Sequence, residues 1–213
     1  MIAPIGRPLP APLTQGRVVA ILRRQPFDEA LRRIDALAAA GLRCVEVTMD
    51  SPDAVRVIET ARVRHPQLAV GAGTVLTTRA LERAAAAGAS FVLSPHVDVE
   101  LIALSASLGV PFIAGALSPT EAVMGVAAGA AAIKLFPAMP AGPEYLAALR
   151  QPLPTIPFIP TGGLTPANAG SFFAAGAAAV ALGSALTALE GTALTTAVAE
   201  VMAAADAAPG WSW

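Results

Sequence analysis

Short apolar runs alternate with longer stretches in which apolar residues return every three or four positions, from Arg17 almost to the end of the chain. The first run is Val18-Val19-Ala20-Ile21-Leu22, followed by helical spacing over 28–40. Cys44-Val45-Glu46-Val47 is the second, and Pro52 then starts a helix predicted to reach about residue 64, because proline suits the first turn. Runs at 68–71, 91–93 and 111–114 have the length and bulk of buried strands, and each precedes a helical pattern. The helix after the fifth run opens on Ser118-Pro119-Thr120-Glu121, where an N-cap serine and a glutamate three positions on form a capping box. The last runs fall at 132–136, 157–160 and 179–182, with helices predicted over 143–150, from Thr165-Pro166 onward, and over 184–207. Several helices close on Ala-Gly, as at Ala87-Gly88 and Ala175-Gly176, the expected left-handed stop before a strand.

Eight strand-then-helix units of about 22–28 residues each predict an α/β fold, a (β/α)8 TIM barrel at the compact end of its size range. The alternative is an open doubly wound sheet. It generally has fewer units and a glycine-rich fingerprint after its first strand, which this chain lacks. The barrel is expected to occupy 17–207 as one domain. The proline-rich residues 1–16 are expected to form an arm, and residues 208–213 a C-terminal tail.

Composition narrows the partners. The chain is 55% hydrophobic, with a mean hydropathy of +0.62. Glycine, proline or a charge nevertheless interrupts every apolar run before the roughly 20 residues of a membrane span. The formal net charge of −1, without a basic block, argues against nucleic acid and anionic membrane as partners. Cys44 is the only cysteine, which excludes an intrachain disulfide and fits a reducing cytoplasm. No basic segment leading into an apolar core marks a secretion signal. His65 precedes Pro66 at a helix end and is expected to be solvated. With His96 far from it in sequence and no carboxylate cluster beside either, neither a metal site nor another cofactor is expected.

One residue stands out chemically. Lys134 is the only lysine, and the only charge between Glu121 and Glu144. It lies inside the sixth strand run. Burying an ammonium without a partner is costly, so such a group tends to shed its proton. A neutral amine in an apolar pocket is the nucleophile of Schiff-base chemistry. A structural lysine paired with a buried carboxylate is the alternative. In a barrel, active groups gather at the C-terminal ends of the strands. Arg23 ends the first strand, Glu46 lies within the second with Thr48 on the same face, and Thr74 follows Gly71-Ala72-Gly73 at the end of the third. His96 ends the fourth. Thr161-Gly162-Gly163 follows the seventh strand and Gly183-Ser184 the eighth, a recurrent position for phosphate held by backbone N–H groups. A neutral lysine facing a proton-shuttling glutamate makes a carbonyl-activating site. A phosphosugar-binding barrel without turnover, or an isomerase or epimerase that needs only a base, are the other readings.

Six segments together carry a family resemblance: Val19-Ala20-Ile21-Leu22-Arg23, Val45-Glu46-Val47-Thr48, Gly71-Ala72-Gly73-Thr74-Val75-Leu76, Ile133-Lys134-Leu135-Phe136-Pro137, Pro160-Thr161-Gly162-Gly163 and Leu182-Gly183-Ser184. From Arg17 to about Thr187 the chain resembles the 2-keto-3-deoxy-6-phosphogluconate and 2-keto-3-deoxy-6-phosphogalactonate aldolases, which include 4-hydroxy-2-oxoglutarate aldolase activity. The resemblance implies a homotrimeric class I aldolase without metal. It would release pyruvate and glyceraldehyde 3-phosphate from a phosphorylated keto-deoxy sugar acid. Lys134 matches the family's Schiff-base lysine and Glu46 its general acid/base. Arg23 and Thr74 match positions that hold the substrate's carboxylate end, and Gly162, Gly163 and Ser184 match its phosphate site. The gluconate-type enzymes carry an arginine shortly after the glutamate, where this chain has Thr48-Met49-Asp50-Ser51-Pro52. That segment, Arg23 and Gly142-Pro143-Glu144-Tyr145 resemble the galactonate branch; Glu46-Val47-Thr48 and Thr161-Gly162-Gly163 resemble the gluconate branch.

Overall fold

Eight parallel strands build the centre of the fold: β1 (Val18–Leu22), β2 (Cys44–Thr48), β3 (Ala69–Gly73), β4 (Val92–Leu93), β5 (Phe112–Ala116), β6 (Ala132–Leu135), β7 (Phe158–Pro160) and β8 (Val180–Leu182). Each pairs with its sequence neighbour as far as β7, and β8 pairs with β1. A bridge between Thr161 and Ala181 joins the ends of β7 and β8 and closes the (β/α)8 barrel. This computed structural model describes residues 6–211 and 213. Helices α2 (Phe27–Ala39), α3 (Ala54–Arg64), α4 (Thr78–Ala86), α5 (Val99–Ser107), α6 (Pro119–Ala127), α7 (Ala138–Arg150) and α8 (Pro166–Ala174) follow β1 to β7 in turn. A short α1 (Ala11–Gly16) precedes the barrel, and α9 (Ser184–Thr187) and α10 (Gly191–Ala207) end it.

Two apolar layers follow from the period of two along each strand. Val19, Cys44, Ala69, Phe91, Leu93, Ile113, Ala132, Ile159 and Ala181 point inward and fill the barrel. Val18, Val45, Val47, Val70, Ile133, Phe158 and Val180 point outward and pack under the helices. Inside, size is matched to space. A Cβ at Gly71 would lie 2.3 Å from Phe91 Cε2, so the phenyl ring occupies the volume that glycine leaves.

The predicted capping box closes α6: Glu121 N–H donates to Ser118 Oγ at 3.3 Å, and Glu121 Oε2 accepts from Ser118 N–H at 2.7 Å. Other boundaries differ from the sequence reading. Helix α7 begins at Ala138 rather than 143, interrupted at Gly142 (φ 75°, ψ 170°) ahead of Pro143. The helix expected over 184–207 is divided. Arg33 reaches across from α2 to the Leu189 carbonyl at 3.1 Å and the Glu190 carboxylate at 2.9 Å, holding the corner between α9 and α10.

The first five residues of the expected arm lie outside the described residues. The rest of it is built in. Leu13 of α1 is fully buried and, with Leu9, joins the inward-facing residues at the N-terminal mouth. Trp213 Nε1 donates to the Thr14 carbonyl at 3.1 Å, tying the C-terminal tail to this plug. His65, expected to be solvated, is largely covered, with Nε2 2.7 Å from Asp35 Oδ1.

Candidate active site

The same alternation that fills the barrel with apolar side chains carries two charged ones inside. Glu46 stands two residues beyond Cys44 on β2, and Lys134 two beyond Ala132 on β6, so both enter at the C-terminal end. They come from opposite sides of the barrel. Glu46 is fully buried and Lys134 is 6% exposed. Lys134 Nζ lies 3.9 Å from Glu46 Oε1, beyond hydrogen-bond reach, and neither carboxylate oxygen of Glu46 has a hydrogen-bond partner. The ammonium position also faces the Phe136 ring, 5.4 Å from its centroid. The two groups are close enough to act on one small molecule and are not locked onto each other.

Glycines make this arrangement possible. A Cβ at Gly73 would stand 1.7 Å from Glu46 Oε1. One at Gly115, the strand partner of Lys134, would stand 2.2 Å from the Pro95 carbonyl carbon. The β4–α5 loop therefore crosses close over β5 and brings Pro95 to the cavity wall.

The cavity measures about 510 Å³, within the range of small-ligand sites. Every residue singled out from the sequence as catalytic or substrate-binding lines it, except that His96 does not: Arg23, Glu46, Thr74, Lys134, Thr161, Gly162, Gly163, Gly183 and Ser184 are all present. His96 turns towards Asp98, its Nε2 3.9 Å from Oδ2.

Each loop supplies a distinct element. Thr74 directly follows β3 with φ at 55°, a conformation unfavourable for a β-branched residue. It is held there by backbone bonds on either side, Met49 N–H to the Gly73 carbonyl at 2.8 Å and Val75 N–H to the Leu93 carbonyl at 3.0 Å. Arg23 is half exposed at the rim. Its Nε lies 3.3 Å from Asp50 Oδ2, and Arg24 Nε lies 3.0 Å from the same oxygen. Burial pushes the Asp50 carboxyl upward, but hydrogen bonds from Thr48 and the two guanidiniums outweigh it and hold the group below its ordinary range. Gly162 and Gly163 both have positive φ. A side chain at Gly163 would run into Met139 at 2.2 Å. Ser184 opens α9, where the first N–H groups have no partner within the helix.

The structure adds residues that the sequence did not mark. Gln25, Phe136, Thr165 and Thr187 also line the cavity. Phe136 follows the lysine strand and Thr165 caps α8, both inside segments the sequence marked for other reasons, whereas Gln25 and Thr187 have no motif around them; only the closed fold reveals that all four face the cavity. Cys44 is fully buried beneath Glu46, and burial first, then the carboxylate charge, raise its thiol well above the ordinary range. Among the described residues, no three His, Cys, Asp or Glu side chains are grouped to hold a metal ion.

Known proteins match this architecture and sequence together. The family model for KDPG and KHG aldolase matches residues 10–202. A probable 2-dehydro-3-deoxy-6-phosphogalactonate aldolase of Rhizobium meliloti is 38% identical over 180 residues, covering 84% of this chain and 85% of its own. A 2-dehydro-3-deoxy-phosphogluconate aldolase of Pseudomonas aeruginosa is 35% identical over 161 residues, covering 75% and 73%. Among solved structures, the KDPG aldolase from Legionella pneumophila with pyruvate captured at low pH as a covalent carbinolamine intermediate has a TM-score of 0.80. It is 29% identical, over 91% of this chain and 96% of that one. With the family model spanning nearly the whole barrel and relatives this similar over most of both chains, the protein belongs to the KDPG and KHG aldolase family.

Proposed function

We propose that this protein is a class I aldolase that reversibly cleaves a 2-keto-3-deoxy-6-phospho sugar acid to pyruvate and glyceraldehyde 3-phosphate. The single observation that carries the residue assignment is the Lys134–Glu46 pair, 3.9 Å apart across the C-terminal mouth of the barrel. The Lys134 amine attacks the C2 ketone, and loss of water leaves a protonated imine. That cation draws electrons from the bond between C3 and C4. Glu46 takes the C4 hydroxyl proton, the bond breaks, and glyceraldehyde 3-phosphate departs while an enamine remains on Lys134. Glu46 returns the proton to C3, and hydrolysis of the imine frees pyruvate and the amine.

The surrounding groups divide the substrate between them. Arg23 and Thr74 take the carboxylate end. Thr161, Gly162 and Gly163 with Gly183 and Ser184 take the phosphate, using backbone N–H groups on two adjacent loops. Thr48-Met49-Asp50-Ser51-Pro52, without the arginine of the gluconate-type enzymes, and Ile21-Leu22-Arg23 resemble the galactonate branch, whereas Thr161-Gly162-Gly163 resembles the gluconate branch. Comparing turnover of the two C4 epimers assigns the branch.

The test is borohydride reduction in the presence of pyruvate, followed by peptide mass analysis. With a single lysine in the chain, an adduct on the peptide holding Lys134 is expected, and Lys134→Ala should abolish both adduct and cleavage. No adduct, or full activity in Lys134→Ala, would sink the mechanism.

We also propose a homotrimer in the cytoplasm. Leu76, Val99, Leu117 and Met139 are large apolar residues exposed on the four successive segments that follow β3 to β6, the kind of side chain a subunit contact would cover. Light scattering on the purified protein should give three times the mass of one chain, 21.4 kDa. A monomer would remove that assignment. No helix among the described residues is long and apolar enough to cross a membrane.

A further inference from the structure

Glu46 is not the only residue in the cavity with a buried polar atom lacking a partner. Among the described residues, four buried side-chain nitrogen or oxygen atoms make no hydrogen bond: both carboxylate oxygens of Glu46, Oε1 of Gln25 and Nε of Arg150. Arg150 ends α7, away from the site. Glu46 and Gln25 line the same cavity. A buried carbonyl oxygen without a donor is costly, and native structures retain few of them. The mechanism above gives Glu46 its task and leaves Gln25 without one.

The position of Gln25 indicates what it would meet. It lies on the loop between β1 and α2, and β1 stands between β8 and β2 in the barrel. On one side is the loop of Gly183 and Ser184, assigned to phosphate. On the other is Glu46, assigned to the proton of the breaking step. A substrate with C2 on Lys134 and its phosphate at Ser184 brings past Gln25 the carbons between the cleaved bond and the phosphate. That stretch carries one hydroxyl the chemistry does not consume, on C5. A hydroxyl is a donor, and an amide oxygen is an uncharged acceptor.

We propose that Gln25 is a specificity-determining residue whose Oε1 accepts a hydrogen bond from the C5 hydroxyl of the substrate, or from the same hydroxyl of the free aldehyde product. The proposal rests on the aldolase reading above. It makes the site selective for aldehydes hydroxylated next to the carbonyl, because an analogue without that hydroxyl leaves a buried acceptor unpaired.

The experiment runs the reaction towards condensation. Pyruvate is combined with glyceraldehyde 3-phosphate or with 3-oxopropyl phosphate, which lacks only the hydroxyl. Wild type should favour the hydroxylated aldehyde about tenfold in kcat/KM, the factor one neutral hydrogen bond supplies. Gln25→Met, of similar length and without an amide, should bring the preference to within about twofold by losing rate on the hydroxylated aldehyde alone. Gln25→Ala should do the same. Exchange of the pyruvate methyl protons, which needs Lys134 and Glu46 but no aldehyde, should be unchanged in both. With no internal bond to lose, Gln25→Met should melt at or above the wild-type Tm without ligand.

A preference retained in both variants overturns the proposal. So does an equal loss on both aldehydes and on pyruvate exchange, or a lowered Tm of the free protein, since each marks a structural role. If wild type neither traps pyruvate nor condenses it, the aldolase reading itself has failed. If it does both without discriminating between the aldehydes, only the role of Gln25 has failed.

Discussion

Gly73 and Glu46 share a space that only a residue without a side chain leaves open. A Cβ on Gly73 would lie 1.7 Å from Glu46 Oε1, 2.4 Å from Cδ and 2.6 Å from Cγ. Gly73 is not among the residues with positive φ, so room, rather than backbone conformation, is what requires glycine. The atoms that would have to move are the free end of one side chain. Gly73→Ala should therefore fold, with Glu46 swung away from Lys134. Cleavage should fall by about 10²–10⁴, the usual contribution of a general acid/base. Trapping of pyruvate on Lys134 by borohydride should persist. Normal cleavage in this variant would show that the carboxylate is not needed where it stands.

Removing Lys134 should reveal how Glu46 depends on it. Lys134→Met leaves a carboxylate that is fully buried, without a hydrogen bond and without a nearby cation. The expected cost is about 3–5 kcal/mol, each kcal/mol lowering Tm by roughly 2–4 °C for a chain of this size. The double variant Lys134→Met with Glu46→Gln replaces the charge by a neutral group of the same shape. In mildly alkaline buffer it should recover part of the lost Tm, although both variants are inactive. Equal melting of the two would mean that Lys134 and Glu46 are not coupled in the folded protein.

The barrel was legible because eight apolar runs, each followed by a helical period, leave few other topologies. Placement of Glu46 and Lys134 on the inner face was legible for the same reason, since side chains two apart on a strand share a face. Distance was not. Nothing in the segments around residues 46 and 134 states that two strands half the barrel apart bring Nζ and Oε1 to 3.9 Å. Gln25 was invisible because a loop residue has no period to betray its direction. The ion pairs of Asp50 with Arg23 and Arg24, between two consecutive loops, were hidden likewise. The corner at Leu189 and Glu190 was missed because it depends on Arg33, remote in sequence.

The capping box of α6 should give stability a pH dependence. The Ser118 hydroxyl and then the Leu117 and Ser118 N–H groups hold the Glu121 carboxyl below its ordinary value of 4.5. A carboxyl depressed on folding stabilises above its unfolded value and loses that contribution as pH falls through the folded one. Glu121→Gln should therefore lower Tm at neutral pH by on the order of 2 °C, and the gap from wild type should close as the medium is acidified below the unfolded value. The group is mostly exposed, so added salt should narrow the gap as well. Parallel Tm curves for the two proteins across this range would remove Glu121 from the account.

The same logic of burial applies to the segment before the barrel. A proline-rich stretch with two leucines has too little period to distinguish a tail from a plug, but the structure seats Leu13 among the first inward residues of the strands. Leu13 is fully buried, so Leu13→Ala removes apolar contact and leaves a cavity at the N-terminal mouth. Core leucine truncations cost about 2–5 kcal/mol. Urea unfolding should show a loss in that range with a similar slope. The reacting groups lie at the other end of the barrel, so kcat measured well below the melting transition should stay near wild type. A variant as stable as wild type would return residues 6–16 to the status of a loose arm. A variant that is stable but inactive would instead require the plug to reach the site through the stacked interior side chains, beginning with Cys44 directly beneath Glu46.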